Sequence, residues 1–566
     1  MENTMKMQFK NEDLNENILS VCKRIAGSRE IVAACFYGPH ICGYADEKTD
    51  VNVLLVIDNY RSILKGYLKS LNEGRAFILA VDKGSFERDV RQGWLGEFVV
   101  NKLIIPYQPL LNESYWQKKE VEAKKRIIWE LLENIVFTFP ELSQELLIEK
   151  EYFMYEAMMQ RARLFPPVAY TYLNIMREGV KIKNVGCMMK GYQAALVELA
   201  EENKITISDG YVKITRNFID TVRKRRIRIP TFIKAVQRAA LLNILSVLPK
   251  MMRPYMNDQE ILLQTHKDAD VENLVSQLED PRKHVFLPTP LGPVSFSDKT
   301  TIEDFVRKTV PSGEILNMEL SPIGGVLNDV YLLTLERGNE AQKIVVKRFR
   351  DWASIKWFPL TLWSLGTKSF AVLGRTRLER EYAINQFLHS KGICVPKTLY
   401  VSPQERLIFK EFIEGENFGE IVKEMLSGKR ETLARVGLIR EVGGKIAEIH
   451  KLGVSLGDCK PENVIVTTNG KLCFVDLEQA TRDGHQSWDI AEFLYYSGHY
   501  VPPLSTASAL ERVAKEFIEG YLETGGKKEN IKNAGSPKYT KVFSIFTQPH
   551  IIFAISNLCK KTGKTK

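Results

Sequence analysis

"DCKPENVIVTTNGKLCFVDLE", residues Asp458–Glu478, is an apolar ribbon whose polar side chains gather at one end. Asn469-Gly470 is a two-residue turn signal between two β-rich runs, Val464–Thr467 and Leu472–Val475, so the stretch reads as a hairpin. With Thr468 opposite Lys471, the register runs outward through Val466 with Cys473 and Val464 with Val475 to Asn463 with Asp476. Directly opposed side chains lie about 5 Å apart on one face, which predicts an amide oxygen and a carboxylate meeting at the open end. Few, hard oxygen donors with room left for water and phosphate suit Mg²⁺ or Mn²⁺. Asp458 lies on a loop just ahead of the strand, where it can be presented to a substrate hydroxyl.

The spacing D-x-x-x-x-N, with a further Asp on the next strand, resembles the catalytic and metal-binding residues of phosphoryl-transfer kinases. "GDCKPEN" is similar to their catalytic loop. The resemblance implies ATP as phosphoryl donor, with Asp458 as the hydroxyl-positioning base, Lys460 as a γ-phosphate contact, and Asn463 and Asp476 as metal ligands. Upstream, "LSPIGGVLNDVYLLTL" offers Gly324-Gly325 before a β-rich run, and "KIVVKRF" places Lys347 on an alternating strand. Glycines let backbone approach phosphate oxygens, and a strand-borne ammonium neutralises them. Asn328, followed by Val330-Tyr331, resembles the GG-x-x-N-x-V-Y loop of aminoglycoside-phosphotransferase-like kinases. In "RLEREYAINQFLHSKG", Leu378, Ile384 and Leu388 share a helical face with Glu381, while Glu379 points elsewhere. A carboxylate on a core-facing stripe needs a partner, and Lys347 is the candidate. "GICVPKTLYV" reads as the next strand, "LIFKEFIEGE" as the strand and hinge between two lobes, and "REVGGKIAEIHKLGV" as the helix leading into the catalytic loop.

No long segment closing in A-P-E follows Asp476. The short "VDLEQATRDGHQSWDIAEFL" is similar to the same stretch of aminoglycoside and choline phosphotransferases and of RIO-type or tRNA-machinery-associated atypical kinases. In such families the helix position of Asp489 braces the catalytic loop; a plain helix N-terminal Asp is the alternative. Leu456 stands where those families have His, and Gly457 where protein kinases have Arg. Lys460-Pro461 follows the protein-kinase form, which favours a Ser or Thr hydroxyl. The resemblance covers roughly residues 313–525 and leaves a protein or a small-molecule hydroxyl open as acceptor. Between Lys347 and Glu381 lies an aromatic, basic insert with Trp352, Trp357 and Trp363, suited to a partner or membrane surface, or to packing on the small lobe.

Near the N-terminus, "IVAACFYGPHICGYADEKTDVNVLLVID" reads strand, turn, strand, with Gly38 in the turn and Asp50 and Asn52 on one face of the second strand. This resembles the nucleotidyltransferase signature, in which paired carboxylates hold two metal ions. Pro39 replaces the usual Ser, and Asn52 replaces one carboxylate with an uncharged amide. Asp82 is either a third carboxylate or a solvated strand end. From Tyr115 onward the pattern is helical, interrupted by the hairpin "ISDGYVKIT". The basic "RKRRIRIP", Arg223–Pro230, offers an RNA phosphate contact or a solvated helix end.

The expected architecture is therefore an α+β multidomain chain: a nucleotidyltransferase-like domain over 1–112, a helical domain over 113–280, a proline-dotted linker over 281–312 and a bilobal protein-kinase-like domain over 313–566. At 566 residues and 44% hydrophobic, the chain has length for several cores. A net charge of +10 spread over 79 basic and 69 acidic residues permits phosphate-rich partners without demanding them. Eight Cys without a C-x-x-C pair and no secretory signal predict reduced thiols and a cytoplasmic location. No apolar run reaches the roughly 20 residues of a membrane span. Two other functional classes fit the same residues: a nucleotide-binding regulator without catalysis, and a nucleotidyltransferase regulated by its kinase-like half.

Overall fold

The computed structural model describes residues 12–71, 74–165, 168–224, 273–309, 317–324, 328–337, 340–351, 370–427, 435–502 and 506–562. The chain forms two compact units, Met1–Thr138 with Leu147–Val285, and Phe139–Leu146 with Phe286–Lys566. Among the described residues no helix is long and apolar enough to cross a membrane.

In the first unit, helix α1 (Glu12–Ala26) precedes strands β1 (Ile31–Tyr37), β2 (Val51–Ile57), β3 (Leu64–Ser70) and β4 (Arg75–Asp82). Helix α2 (Lys83–Gln92), strand β5 (Tyr107–Leu111) and the long α3 (Glu113–Thr138) follow. The sheet order is β3-β4-β2-β1-β5, with β2 and β4 parallel. The central strands are near-continuous apolar runs because both faces are covered, and Ile18, Cys22, Phe36, Leu55 and Ile78 fill the α1 side. At the edge, β3 carries Lys65 and Lys69 and is largely solvated. Trp116 of α3 donates its indole N–H to the Ala34 and Leu111 carbonyls, so α3 is bound to this sheet. The sheet and the helical stretch fall in one compact unit, and the boundary expected at residue 112 lies inside it. It continues with β6 (Leu147–Glu149), α4 (Glu151–Leu164), α5 (Val168–Ile175), α6 (Lys181–Glu201), the hairpin β7 (Ile205–Ser208) and β8 (Tyr211–Ile214), and α7 (Arg216–Lys224).

The second unit opens with a hairpin, β9 (Val285–Thr289) and β10 (Gly292–Ser295), then α8 (Ile302–Thr309). Of the linker expected over 281–312, residues 281–309 hold regular elements, and 310–312 lie outside the described residues. Val294, Ile302, Phe305 and Val306 join the core of the following sheet, and Phe305 stacks on Phe409 at 4.0 Å. Prolines 288 and 293 face each other in the hairpin register without breaking it; Pro293 lies on the edge strand, where proline is tolerated. The sheet contains β11 (Asn317–Gly324), β12 (Asn328–Arg337), β13 (Glu340–Phe349), β14 (Thr398–Ser402) and β15 (Leu407–Glu411) in antiparallel order β11-β12-β13-β15-β14. Helix α9 (Gly374–Ser390) comes between β13 and β14.

Beyond β15 the unit is mainly helical: β16 (Gly415–Asn417), α10 (Phe418–Leu426), α11 (Val436–Lys451), β17 (Val454–Ser455), β18 (Val464–Thr467), β19 (Leu472–Phe474), β20 (Thr481–Arg482), α12 (Gln486–His499), α13 (Ser508–Glu523), α14 (Lys528–Ala534), α15 (Pro537–Phe543) and α16 (Pro549–Thr562). Phe418, Ile446, Phe493, Leu494 and Phe517 centre the core. Helices α11 and α13 approach through Gly443 and Gly520, where any side chain would collide with the facing backbone carbonyl.

Candidate active site

The hairpin forms with a register one residue away from the expected one. Val464 pairs with Phe474, Ile465 with Cys473 and Val466 with Leu472. Thr467 closes on Lys471 around a three-residue turn, with Gly470 at φ 76. Three-residue loops ending in a left-handed residue are the next commonest hairpin connection after two-residue ones. Asn463 consequently accepts from the Val475 N–H at 2.9 Å, and Asp476 leaves the strand at φ 59. A non-glycine residue in that region stores strain of about 1–3 kcal/mol, which surrounding contacts must hold.

The loop ahead of β18 is fixed from behind. Asp489 of α12, fully buried, accepts from the backbone N–H groups of Leu456 and Gly457 at 2.7 Å each. It also meets His450 Nε2 at 2.9 Å, while His450 Nδ1 meets the Tyr521 hydroxyl at 2.8 Å. An ionised carboxylate only accepts, so Nε2 carries the proton and Nδ1 accepts from Tyr521. Glu492, one helical turn on, takes the Cys459 N–H and the Trp488 indole N–H. Asn463 donates from Nδ2 to the Asp458 carbonyl at 2.8 Å, and Lys460 lies 2.8 Å from the Asp458 carboxylate. Burial alone would lower the Lys460 ammonium, but Asp458 and Glu492 outweigh it and hold it above the usual lysine range.

Lys347 of β13 forms the centre of the opposite wall. Its ammonium is 2.6 Å from Asp476, 2.9 Å from Glu478 and 3.6 Å from Glu381 of α9. Lys410 of β15 also contacts Glu381. Arg377, fully buried, bonds Glu478 at 3.1 Å, the Asn328 amide oxygen at 2.8 Å and the Arg350 carbonyl. Asn328 in turn donates to Glu478 at 2.6 Å. Three cations thus meet three carboxylates, a balance that a poorly solvated cluster requires. Burial would lower Lys347, yet Asp476, Glu478 and Glu381 hold it well above normal. Burial would raise Asp476, but Lys347 and then Lys410 and Lys460 hold it low. In Glu478 burial prevails and its carboxyl is raised.

The structure therefore brings together Lys347, Glu381 and Asp476 on one wall, and Asp458, Lys460 and Asn463 on the other. Gly324 ends β11 at φ 143 with open space where a side chain would stand; Gly325 lies outside the described residues. Asn328 is turned inward, both ends of its amide engaged by Glu478 and Arg377, rather than free in a phosphate loop. Sequence reasoning missed Lys410, Arg377 and Glu478. The i,i+4 spacing of Arg377 and Glu381, and the polar Lys410 in the otherwise apolar "LIF" run, were the available signals.

In the first unit, Gly38 (φ 84) packs against the Asn52 amide, and Asn52 pairs with Tyr37 across β1 and β2. Asp50 immediately precedes β2 and is neutralised by Arg75 at 2.9 Å. Asp82 caps α2 by accepting the Ser85 N–H, which gives that carboxylate a structural task. Of the basic cluster, Arg223 and Lys224 end α7; its remainder, the stretch "FIKAVQRAALLNILSVL" expected to be helical, and the three Trp of the insert lie outside the described residues.

Glu379 points away from Lys347, as expected, but is buried nonetheless, and burial raises its carboxyl to about 7 against the pull of Arg375. A carboxyl whose folded pKa exceeds its unfolded one destabilises the fold once ionised. The penalty is absent below the unfolded value of 4.5, grows towards 7 and is complete above it. Glu379→Gln is expected to stabilise the second unit by on the order of 2–3 kcal/mol in denaturant unfolding at about pH 8 and not at about pH 4.5. Equal effects at both values would contradict the assignment.

A five-stranded antiparallel sheet with a lysine–glutamate pair from its third strand and following helix, above a braced D-x-x-x-x-N loop and a second Asp, defines a kinase-like region. Comparisons agree on that class. Residues 335–495 match the lipopolysaccharide kinase (Kdo/WaaP) family. Over 158 residues, 27% of this chain, the sequence is 28% identical to the KEOPS complex subunit Bud32 of Pyrococcus abyssi, covering 67% of that protein. Over 141 residues, 25% of this chain, it is 30% identical to a probable serine/threonine-protein kinase BUD32 homolog of Archaeoglobus fulgidus, covering 64% of it. Over 157 residues, 28% of this chain, it is 28% identical to a probable bifunctional tRNA threonylcarbamoyladenosine biosynthesis protein of Thermoplasma volcanium, covering 27% of that protein. These relatives support an atypical kinase-like phosphotransferase.

Proposed function

We propose that the second unit transfers the γ-phosphate of ATP, with Mg²⁺ or Mn²⁺, to a Ser/Thr or small-molecule hydroxyl. The observation that carries this reading is the convergence on Asp476 of Lys347 from the sheet and Lys460 from the catalytic loop. The residues fit a hard cation. Asn463 spends its Nδ2 on the Asp458 carbonyl, and Asp476 spends Oδ1 on Lys347, so one oxygen of each remains to bind it. Two such donors with water and phosphate oxygens suit a magnesium-like ion, whose charge would offset that of the phosphates.

Asp458 orients the acceptor hydroxyl and receives its proton as the new P–O bond forms and the bond to the leaving diphosphate breaks. Lys460 opposes the charge on the transferring group, and Lys347 turns from Asp476 towards phosphate while Glu381 keeps it in place. Lys410 supports Glu381 through that exchange. The alternative of a non-catalytic nucleotide-binding regulator draws on the same closure of Lys347 by Asp476 and Glu478.

For the first unit we propose a nucleotidyltransferase-like domain, degenerate because Asn52 cannot neutralise a metal and Asp50 is already paired. Since one relative is a KEOPS subunit and another a tRNA threonylcarbamoyladenosine biosynthesis protein, proteins of such machinery are the acceptors to try first, in the cytoplasm, with RNA contact through Arg223–Pro230 as a further arm. The test follows label from γ-labelled ATP into protein, free phosphate and added small hydroxyl compounds, with Mg²⁺, Mn²⁺ or EDTA. Metal-dependent label in an acceptor supports the transferase; ATP binding without release under any metal favours the regulator.

A further inference from the structure

Residues Phe139–Leu146 continue directly from α3 of the first unit, yet they belong to the second. There they touch two parts of the kinase-like region. The Arg482 backbone N–H donates to the Glu141 carboxylate at 3.3 Å, its Nη1 donates to the Glu141 carbonyl at 3.3 Å, and its Nη2 lies 3.5 Å from Glu145. Arg482 is on β20, opposite Val454 of β17, two residues before Leu456, where the braced catalytic loop begins. The same guanidinium lies 4.8 Å over the Phe387 ring of α9. Phe139 meets Phe296 at 5.5 Å and carries the Arg375 guanidinium, also of α9, at 4.9 Å. Burial lowers Arg380, the neighbour of Glu381, and Glu141 opposes that effect.

Helix α9 is thus held on one side by Lys347 and Lys410 through Glu381, and on the other by this segment. Between them the second side is incompletely packed. A cavity of about 160 Å³ there is lined by Leu142, Leu378 and Tyr382 together with Arg375, Glu379 and Arg406. A polar cavity of that size admits water, so on this side α9 is placed by the charged and ring contacts more than by close packing.

We propose that Phe139–Leu146 is a positioning strap that holds α9 and β20 where Glu381 meets Lys347, and that it gives the first unit a covalent handle on phosphoryl transfer in the second. The proposal rests on the phosphotransferase reading for its functional consequence but not for its structural one. A pull on α3 would be felt at Glu141 and Glu145, then at Arg482 and α9, where a small shift separates Glu381 from Lys347. Coupling of this kind needs an element with two arrangements that both ends bias, and α9 beside a cavity has room for a second.

The test uses the full chain with Glu141→Gln/Glu145→Gln and with Arg482→Gln. Two readouts are taken: hydrogen exchange across residues 374–390, which needs no activity, and γ-label transfer with KM for ATP resolved from kcat. The amide pair is expected to speed exchange of α9 about tenfold and to raise KM for ATP severalfold with unchanged exchange in the β1–β5 sheet. Arg482→Gln is expected to do the same with unchanged exchange in α13, which a general loss of folding would not allow. Unchanged α9 exchange in either variant, or equal acceleration in α13, overturns the strap. Faster α9 exchange in a protein whose wild type moves no label leaves the strap standing and overturns the phosphotransferase reading instead.

Discussion

Replacing Asp476 by alanine is expected to lower metal-dependent γ-phosphate transfer by ~10³-fold or more, with the chain still folded. In the proposed reading Asp476 shares its carboxylate between Lys347 and a cation, so its loss removes one ligand. The fold survives because Lys347 keeps Glu478 at 2.9 Å and Glu381 at 3.6 Å, so no buried ammonium is left bare. Alanine at φ 59 adds backbone strain of about 1 kcal/mol. Asp476→Asn, which tolerates that conformation, separates strain from charge. The check is an initial rate beside a thermal unfolding curve: transfer within tenfold of wild type in either variant would sink the metal assignment.

The largest expected loss of stability comes from Arg377→Met, about 3–5 kcal/mol. Its side chain is fully buried, and its removal leaves Glu478 sharing Lys347 with Asp476 and strips partners from the Asn328 amide oxygen and the Arg350 carbonyl. Arg377→Lys is expected to recover little, because an ammonium cannot reproduce a planar fork that reaches three acceptors. Denaturant midpoints for the second unit measure this directly. A loss under about 1 kcal/mol would show that the cluster is better solvated than its burial indicates.

How much of this was readable follows from how local each signal is. The hairpin was legible because alternation and Asn-Gly act over a few residues, but its register was not. Whether Gly470 closes a two- or a three-residue turn is a one-residue difference, and a one-residue slip changes every partner. The Lys347–Glu381 pair was legible from helical periodicity. Glu478 was hidden beside Asp476 in "VDLE", and Arg377 went unnoticed, since its burial is set by Asn328 of β12 and by Glu478, distant in sequence. Prolines made 281–312 look like a linker because composition does not show that Val294 and Phe305 have a sheet to pack on. The strap at 139–146 was invisible for the same reason. It follows a long helix and precedes a short strand, and only the folded chain brings Glu141 to Arg482.

The most direct measurement is a single turnover of γ-labelled ATP by the wild type and by Asp458→Ala, at saturating nucleotide and Mn²⁺, with nucleotide binding measured on both. Among the described residues Asp458 contacts Lys460 and Asn463 and no member of the Lys347 cluster, so its loss should spare binding. The account predicts equal ATP affinity and a transfer rate lower by about 10²–10⁴-fold in the variant. Equal transfer rates in the two proteins would contradict it.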